Sequence, residues 1–528
     1  MRHGPPMLAT WACLLLAACG SEPEAPTPSE RLVFVRDGVL GGAGSGGQAV
    51  GGARELVTRA WTPGESVTVG GRTDAAPRSP ECVPLFHVDL GDVDSLISRG
   101  VSTPGTAVAW SPDGASLAIG SYLGEVLVVD GWTGAVRARR TLAETMIKRV
   151  AWSPDGAVVY ASEQSPDAFV HALEARDLTS RWSFRLADDL DTSPAPPETD
   201  VYGVFTLPAG YGLEVMETGD LIVVGTHAWP VGDGESRNKS RVLRLTPNGE
   251  VRARFPKDAP ADATFRFPRL DEVEDRMIFA VGRSATGPAP PDLPIDGVQV
   301  LDLETMEPVF HHVGEPMRPH FKRAYSWEAI DVQGDRLLAG FGDGRAQIVN
   351  LDGSGGTTHA LGTAIVSGDV PIAASVGWGR FLKSGGLAVN TGTTNIPWGS
   401  DVAASRPPAA HPGENTLWVY GADGELDWTF RGEPAIQGIT TSPDGEHLVI
   451  GGGPRTTDHR RDLFGAFVFR LGGDGTGQER LVASCPTESP VFFRHALRDD
   501  GRVAVSEVPY QDETAGAVLG EYRVTVLR

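Results

Sequence analysis

Few side chains in this sequence of 528 residues sit at spacings that do chemistry. Gly42-Ala43-Gly44-Ser45-Gly46-Gly47 satisfies G-x-G-x-x-G, which cradles a pyrophosphate when it joins a strand to a helix. No helix-forming run follows it, so it reads as a flexible loop. His311-His312 could offer a metal two imidazoles. The pair sits where an outer strand is expected, and neighbours on a strand point to opposite faces. Asp188-Asp189-Leu190-Asp191 gathers carboxylates but lacks the turn glycine and distal glutamate of a calcium loop, so it reads as a solvated link. Asn238-Lys239-Ser240 is a glycosylation sequon and reads as ordinary loop. H-E-x-x-H, C-x-x-C, the phosphate loop and G-x-S-x-G are all missing from the sequence. Contiguous motifs therefore name no catalytic residue, no metal ligand and no cofactor.

The first 31 residues carry an address. Residues 1–19 read MRHGPPMLATWACLLLAAC. Arg2 gives a positive start, and the apolar run Met7–Ala18 is shorter than the roughly 20 residues that span a bilayer. This is the shape of a secretory signal. Leu16-Ala17-Ala18-Cys19 resembles the lipobox of bacterial lipoproteins. The resemblance implies cleavage just before Cys19, acylation of its thiol, and lipid anchoring to the cell envelope, periplasmic or outer membrane. Residues 20–31 (GSEPEAPTPSER) have no apolar periodicity and read as a tether linker. Of the four cysteines, Cys13 leaves with the signal and Cys19 carries the lipid. Cys82 and Cys485 remain, near opposite ends of the mature chain. An oxidising compartment permits a disulfide between them; two separate buried thiols are the alternative.

The rest of the chain is a repeat. Trp110-Ser111-Pro112-Asp113-Gly114 recurs 42 residues on as Trp152-Ser153-Pro154-Asp155-Gly156, and Ser442-Pro443-Asp444-Gly445 is a third copy. Proline presets φ, aspartate caps its own turn, and glycine accepts a positive φ. Pairs of short runs rich in Val, Ile, Leu and aromatics follow at intervals. The first runs begin at Leu117, Val158, Leu221, Met277, Leu337, Leu387, Leu448 and Val503, which makes eight pairs. Seven pairs lead on to a further strand, such as Val136–Leu142 or Val251–Phe255. The eighth ends at Arg528 without one. Such units predict an all-β chain: a single β-propeller with eight blades preferred over seven, closed by an N-terminal strand. Leu32–Arg36 and Leu85–Leu90 are the candidates for that strand, and Ser66–Val69 is a further strand candidate in the segment before the repeats. The expected organisation is signal 1–19, linker 20–31, N-terminal segment 32–104 and propeller 105–528. SPDG before a strand resembles WD40-type and YVTN-type repeats. Val129-Asp130-Gly131-Trp132-Thr133-Gly134 and Leu417–Phe430 (LWVYGADGELDWTF) resemble quinoprotein-type propellers. The Trp-Asp dipeptide and the vicinal cysteines of those families are missing, so the resemblance implies fold and little chemistry.

Loop length varies on one side of the repeat. The link after the first run of a pair is short in units one, two and five. It swells to about His227–Arg241, Arg283–Gly297, Thr393–Thr416, Pro454–Gly465 and Pro509–Glu521 elsewhere. Equivalent links of a propeller emerge on one face, and insertions there mark a binding side. The candidate binding residues are Trp229, Asp233, Arg237, Trp398, Asp401, Arg455, Asp458, His459, Arg460 and Tyr510, because aromatic and arginine side chains make binding hot spots. The alternative is that the loops only pack on one another.

Composition bounds the function. Gly 66 and Pro 40 punctuate the chain too often for a helical bundle. A net charge of −22 disfavours nucleic acid, whose binding starts from Lys and Arg on phosphates. The expectation is a monomeric, lipid-anchored binding or scaffold module for a protein or envelope polymer. The alternative is a propeller enzyme of hydrolase or quinone-dependent type with its site at the central channel.

Overall fold

The computed structural model describes residues 31–35, 56–60, 82, 84–94, 97, 106–190, 207–232, 235–283, 292–295, 297–313, 328–367, 370–396, 407–432, 435–453, 464–473, 480–512 and 517–528. Eight antiparallel sheets, here called blades one to eight, each supply four strands, A innermost to D outermost. Blade one is Ala107–Trp110, Ser116–Gly120, Glu125–Asp130 and Val136–Thr141. The innermost strands of blades two to eight are Ile147–Trp152, Ala209–Val215, Ala263–Asp271, Ile330–Gln333, Val370–Phe381, Ala435–Thr441 and Val491–Leu497. Each neighbours the next, and the last neighbours the first, so the sheets form a ring. The protein is an eight-bladed β-propeller.

The pattern of burial explains why these residues form these strands. Second strands such as Ser116–Gly120, Val158–Glu163 and Val503–Glu507 are buried at every position, because a blade is covered on both faces by its neighbours. Outer strands such as Pro308–Val313 alternate between exposed and half-buried. His311 and His312 fall on that strand, and His312 reaches across to Gln347 of blade five at 2.8 Å. A separate apolar cluster fills each of the eight interfaces between blades. A single blade could not cover either face alone.

The repeated turns join A to B strands and have one hydrogen-bond set. Ser111 Oγ donates to Asp113 Oδ1 (2.6 Å) and accepts Ser116 N–H (2.9 Å), while Asp113 Oδ1 accepts Ala115 N–H (2.9 Å). Ser153 with Asp155 and Ser442 with Asp444 repeat the set. Glycine closes each turn at a φ of 69 to 78°, where a Cβ is disfavoured. The tryptophans clip one blade to the previous one. Trp152 Nε1–H donates to Ala109 O at 2.9 Å, and Trp110 Nε1–H to Ala496 O at 3.2 Å.

Blade eight is completed from the start of the chain. Its A, B and C strands are Val491–Leu497, Val503–Glu507 and Arg523–Leu527; its D strand is Pro84–Asp89, with Val88 opposite Val524. Of the two closing candidates, the segment at Leu85 holds this place. The other, Arg31–Val35, pairs with Leu56–Ala60 and meets Ser367 through Leu32, extending the edge of blade six through Ile365–Ser367. The physical difference is side-chain supply: Val88, Leu90, Val93 and Ile97 bury into the cluster between blades eight and one. Cys82, just before the closing strand, is disulfide-bonded to Cys485 on the outer strand of blade seven (Cα–Cα 4.9 Å). Arg502 stitches the same region from blade eight to blade one. Its guanidinium is 2% exposed, donates to Gly131 O and Gly114 O, pairs with Asp500 and stacks on Trp132 at 3.9 Å.

The seam predicts two losses. Reducing the bridge, or Cys82→Ser, is expected to lower unfolding stability by on the order of 4 kcal/mol, because the bridge closes most of the chain. Arg502→Ala is expected to cost about 3 kcal/mol, since it leaves Asp500 and two carbonyls without their donor. Urea midpoints at equal slope measure both.

Candidate functional site

Two surfaces of the ring carry polar side chains from several blades. The first is the face where B–C links and D–A linkers emerge together. In blade three the B and C strands run on as one long hairpin, Leu221–Gly232 with Glu235–Leu245. From His227 outward it extends about 20 Å beyond the blade at the usual rise of a strand. Its base rests on the linker to blade four: Ser240 bridges to Ala261, and Arg237 and Lys239 pair with Asp262 at 3.1 and 3.3 Å. In blade eight the link forms a small hairpin, Tyr510–Asp512 with Ala517–Leu519. Tyr510 is 6% exposed and meets Phe464, from the blade-seven link, edge to face at 5.4 Å. Links of neighbouring blades thus touch.

The candidate binding residues divide accordingly. Trp229 and Arg237 are register partners on the blade-three hairpin. Tyr510 packs inward rather than presenting its ring. Asp233, Trp398, Asp401, Arg455, Asp458, His459, Arg460 and the lipidation candidate Cys19 lie outside the described residues, as do Gly42–Gly47 and Ser66–Val69. Two sequence readings change. Asn238-Lys239-Ser240 is strand rather than loop, with Ser240 Oγ buried against Thr226 Oγ1 at 2.8 Å. Asp189 is buried, not solvated: Arg241 and Arg254 of blade three approach its Oδ1 at 3.2 and 2.7 Å. A cation two strands away cannot be seen from local sequence.

The second surface is the central channel, which the sequence reading offered as the alternative site without naming its residues. A cavity of about 830 Å³ is lined by the ends of the innermost strands of all eight blades, with Ser111, Pro112, Ser442, Pro443 and Gly445 of the A–B turns at its mouth. Arg149, Glu214, Arg269, Glu328, Lys383, His495 and Arg498 converge on it from six blades. Arg269 binds Glu328 at 3.1 Å and stands 3.6 Å from Glu214; Arg380, behind, meets Glu328 at 3.8 Å. Burial, reinforced by Arg269, pulls Arg380 down to about 10, although Asp331, Glu328 and Glu214 oppose it. Burial raises the Asp331 carboxyl against Arg380 and the Phe381 N–H, which donates to it at 2.7 Å.

Two other polar groups have the composition of a site. His171 bridges Glu163 (2.6 Å) and Ser183 (2.9 Å), the connectivity of an acid, a base and a nucleophile. The three lie on the B, C and D strands of blade two, and their hydrogen bonds couple those strands. Asp444, Glu446 and His447 bring ligand atoms within 4.8 Å and could hold a metal. Asp444 Oδ1 already accepts from Ser442 Oγ and Glu446 N–H, and these bonds hold it below the usual carboxylate range.

No family model matches the chain, and no curated protein matches it. Solved structures do. The C-terminal WD40 domain of Sif2 aligns at a TM-score of 0.47 and 12% identity, over 85% of this chain and 98% of that one. The computationally designed Ika8 protein aligns at 0.47 and 13%, over 80% and 98%. BamB from Moraxella catarrhalis aligns at 0.39 and 13%, over 67% and 82%.

Two buried imidazoles near the links make stability depend on pH. His411, on the blade-six link, accepts Gly413 N–H on Nδ1 (3.0 Å) and donates Nε2–H to Thr363 O (3.0 Å), which uses the neutral ring fully. His359 stacks on Tyr420 at 4.2 Å. Burial pulls both down to about 4 from an ordinary 6.5. Only the unfolded chain takes up these protons between those values, so stability is full above pH 6.5 and falls as pH drops toward 4. The expected loss is about 3 kcal/mol per ring, and His359→Gln should flatten a pH series of urea midpoints by one share.

Proposed function

We propose that this protein is a lipid-anchored β-propeller of the bacterial cell envelope that binds a protein or envelope polymer through its B–C link face. One observation carries the reading: the blade-three hairpin stands out beyond its sheet, beside links of other blades that are longer than a ring needs. An eight-bladed ring closes with short links, as blades one, two and five demonstrate. Extra chain confined to one face adds surface rather than stability. Supporting the address are Leu16-Ala17-Ala18-Cys19 and the tether after it. Among the described residues no helix is long and apolar enough to cross a membrane.

A second reading, catalysis at the channel, draws support from the charged groups that converge there from six blades. It calls for turnover whose pH profile moves when Glu328 is changed to Gln.

The first reading is tested in two steps. Cys19→Ala is expected to abolish incorporation of labelled fatty acid and to release the protein from membranes. Replacing residues 228–238 with a two-residue Asn-Gly turn between the register partners His227 and Lys239 is expected to leave unfolding stability within about 0.5 kcal/mol. In vivo crosslinks to a partner are expected from position 237 of the intact hairpin, and the shortening should remove those made from position 511 on the same face. Crosslinks that survive at full yield from other positions on this face would count against the hairpin.

A further inference from the structure

We propose that Ser183 is an activated nucleophile that hydrolyses small carboxylic esters, with His171 as its general base and Glu163 as the residue that positions the base. The site lies on the outer edge of blade two and does not depend on the binding face proposed above.

The direction of the hydrogen bonds is the first support. An ionised carboxylate accepts and does not donate, so the imidazole nitrogen facing Glu163, Nε2 at 2.6 Å from Oε1, carries the proton. In the neutral ring the other nitrogen, Nδ1, keeps its lone pair. Ser183, directly opposite His171 in the strand register, donates its hydroxyl to that lone pair at 2.9 Å. Donation thus runs from serine to imidazole to carboxylate, which is the direction a serine proton must take when its oxygen attacks.

Burial is the second support. Glu163 is 2% exposed and His171 8%, while Ser183 is exposed. Acid and base are shielded from water, where their attraction is strongest, and the hydroxyl alone meets a substrate. The carboxylate is also fixed from behind. Its Oε2 accepts Ser165 Oγ–H at 2.6 Å, and Ser165 Oγ accepts Ala168 N–H at 2.9 Å. Ala168 adopts φ 48°, a left-handed conformation that persists in a residue other than glycine where the surroundings hold it. Here that conformation sets the hydroxyl that orients Glu163. An outer strand gives open access, which suits a small ester. The Phe169 ring, half-buried and 5.7 Å from the imidazole, offers apolar surface beside it.

Comparison with blade eight is the third. Thr525 lies opposite Val505 and His87 there, as His171 lies opposite Ala161 and Ser183, and Glu507 follows Val505 by two residues as Glu163 follows Ala161. The same three positions therefore carry Glu507, Thr525 and His87. Thr525 Oγ1 donates to Glu507, and His87 Nδ1 meets Thr525 Oγ1 at 2.9 Å. Both ladders tie three strands together, and either order of residues does so. Only the order in blade two presents an exposed hydroxyl with a base behind it.

The reaction balances with water alone. Ser183 Oγ adds to the ester carbonyl carbon as its proton passes to His171 Nδ1. The carbon–oxygen bond to the alcohol breaks, and the alcohol leaves with that proton. Water then adds to the acyl carbon, gives a proton to Nδ1, and the acid departs as Ser183 takes the proton back. Glu163 stays ionised throughout and stabilises the transient imidazolium.

A fluorophosphonate probe and p-nitrophenyl acetate, applied to the full-length protein, test the site. The probe is expected on Ser183, mapped by mass spectrometry, and the ester is expected to turn over. Ser183→Ala should abolish both, whereas Ser180→Ala, exposed on the same strand, should change neither. His171→Gln should slow acylation about 100-fold or more, and Glu163→Gln about tenfold or more, each at an unfolding temperature measured alongside. A thiol in place of the hydroxyl gives a readout that strand coupling does not move. The Ser183→Cys variant should react with iodoacetamide at pH 6 about tenfold faster than a Ser180→Cys variant, because a neighbouring imidazole favours the thiolate. Adding Glu163→Gln to the Ser183→Cys variant should shift that pH profile. A folded wild-type protein that carries no probe on Ser183 would overturn the proposal. So would acylation at the wild-type rate in a folded His171→Gln variant, or equal alkylation at positions 183 and 180.

Discussion

Everything in this molecule depends on one strand reaching across the whole chain. Pro84–Asp89 pairs with Arg523–Leu527 and makes blade eight a four-stranded sheet. Without it the C strand of that blade would expose an unpaired edge, and the cluster between blades eight and one would lose Val88, Leu90, Val93 and Ile97. A ring has no spare interface: each blade buries its faces only because both neighbours are present. The disulfide from Cys82 and the Arg502 clamp lie on either side of this closure. Covalent and polar reinforcement are thus concentrated where the ring would first open.

The two ends of the ring follow different rules. On the A–B face the Ser-Pro-Asp-Gly turns are nearly identical, because each carries a complete internal hydrogen-bond set and touches the next. Lys383 meets Pro443, Asp444 N–H meets Asp499, and Arg498 meets Pro112. Such turns tolerate little insertion. On the opposite face the links leave the sheets without a shared constraint, so their lengths diverge from three or four residues to a long hairpin. The constrained end frames a charged cavity, while the free end supplies variable surface. Variable surface suits a macromolecular partner.

The channel was the hardest feature to read from sequence, and the innermost strands show why. Second and third strands are largely buried on both faces and read as mostly apolar runs. Innermost strands mix apolar residues with Arg149, Glu214, Arg269 or His495, since one edge faces solvent in the channel. In six of the eight blades their pairing is also broken by a bulge, which disrupts period-2 alternation. The pattern that finds a strand is therefore weakest in the strands that carry the charged groups. The links were legible for the opposite reason: insertions stand out against a regular repeat. That legibility did not extend to side-chain direction, as the inward ring of Tyr510 and the buried carboxylate of Asp189 demonstrate.

By itself, the sequence determined the strand pairs, the turn chemistry of Ser-Pro-Asp-Gly and the face on which links lengthen, and it favoured eight units over seven. These are local properties, encoded in burial periodicity and in residues with special φ preferences. Tertiary structure alone decided which N-terminal segment closes the ring, and which arginines pair with which carboxylates across blades. It also decided that charged side chains from six blades meet in one cavity. Those outcomes depend on residues hundreds of positions apart becoming neighbours, and only the closed ring brings them within reach of one another.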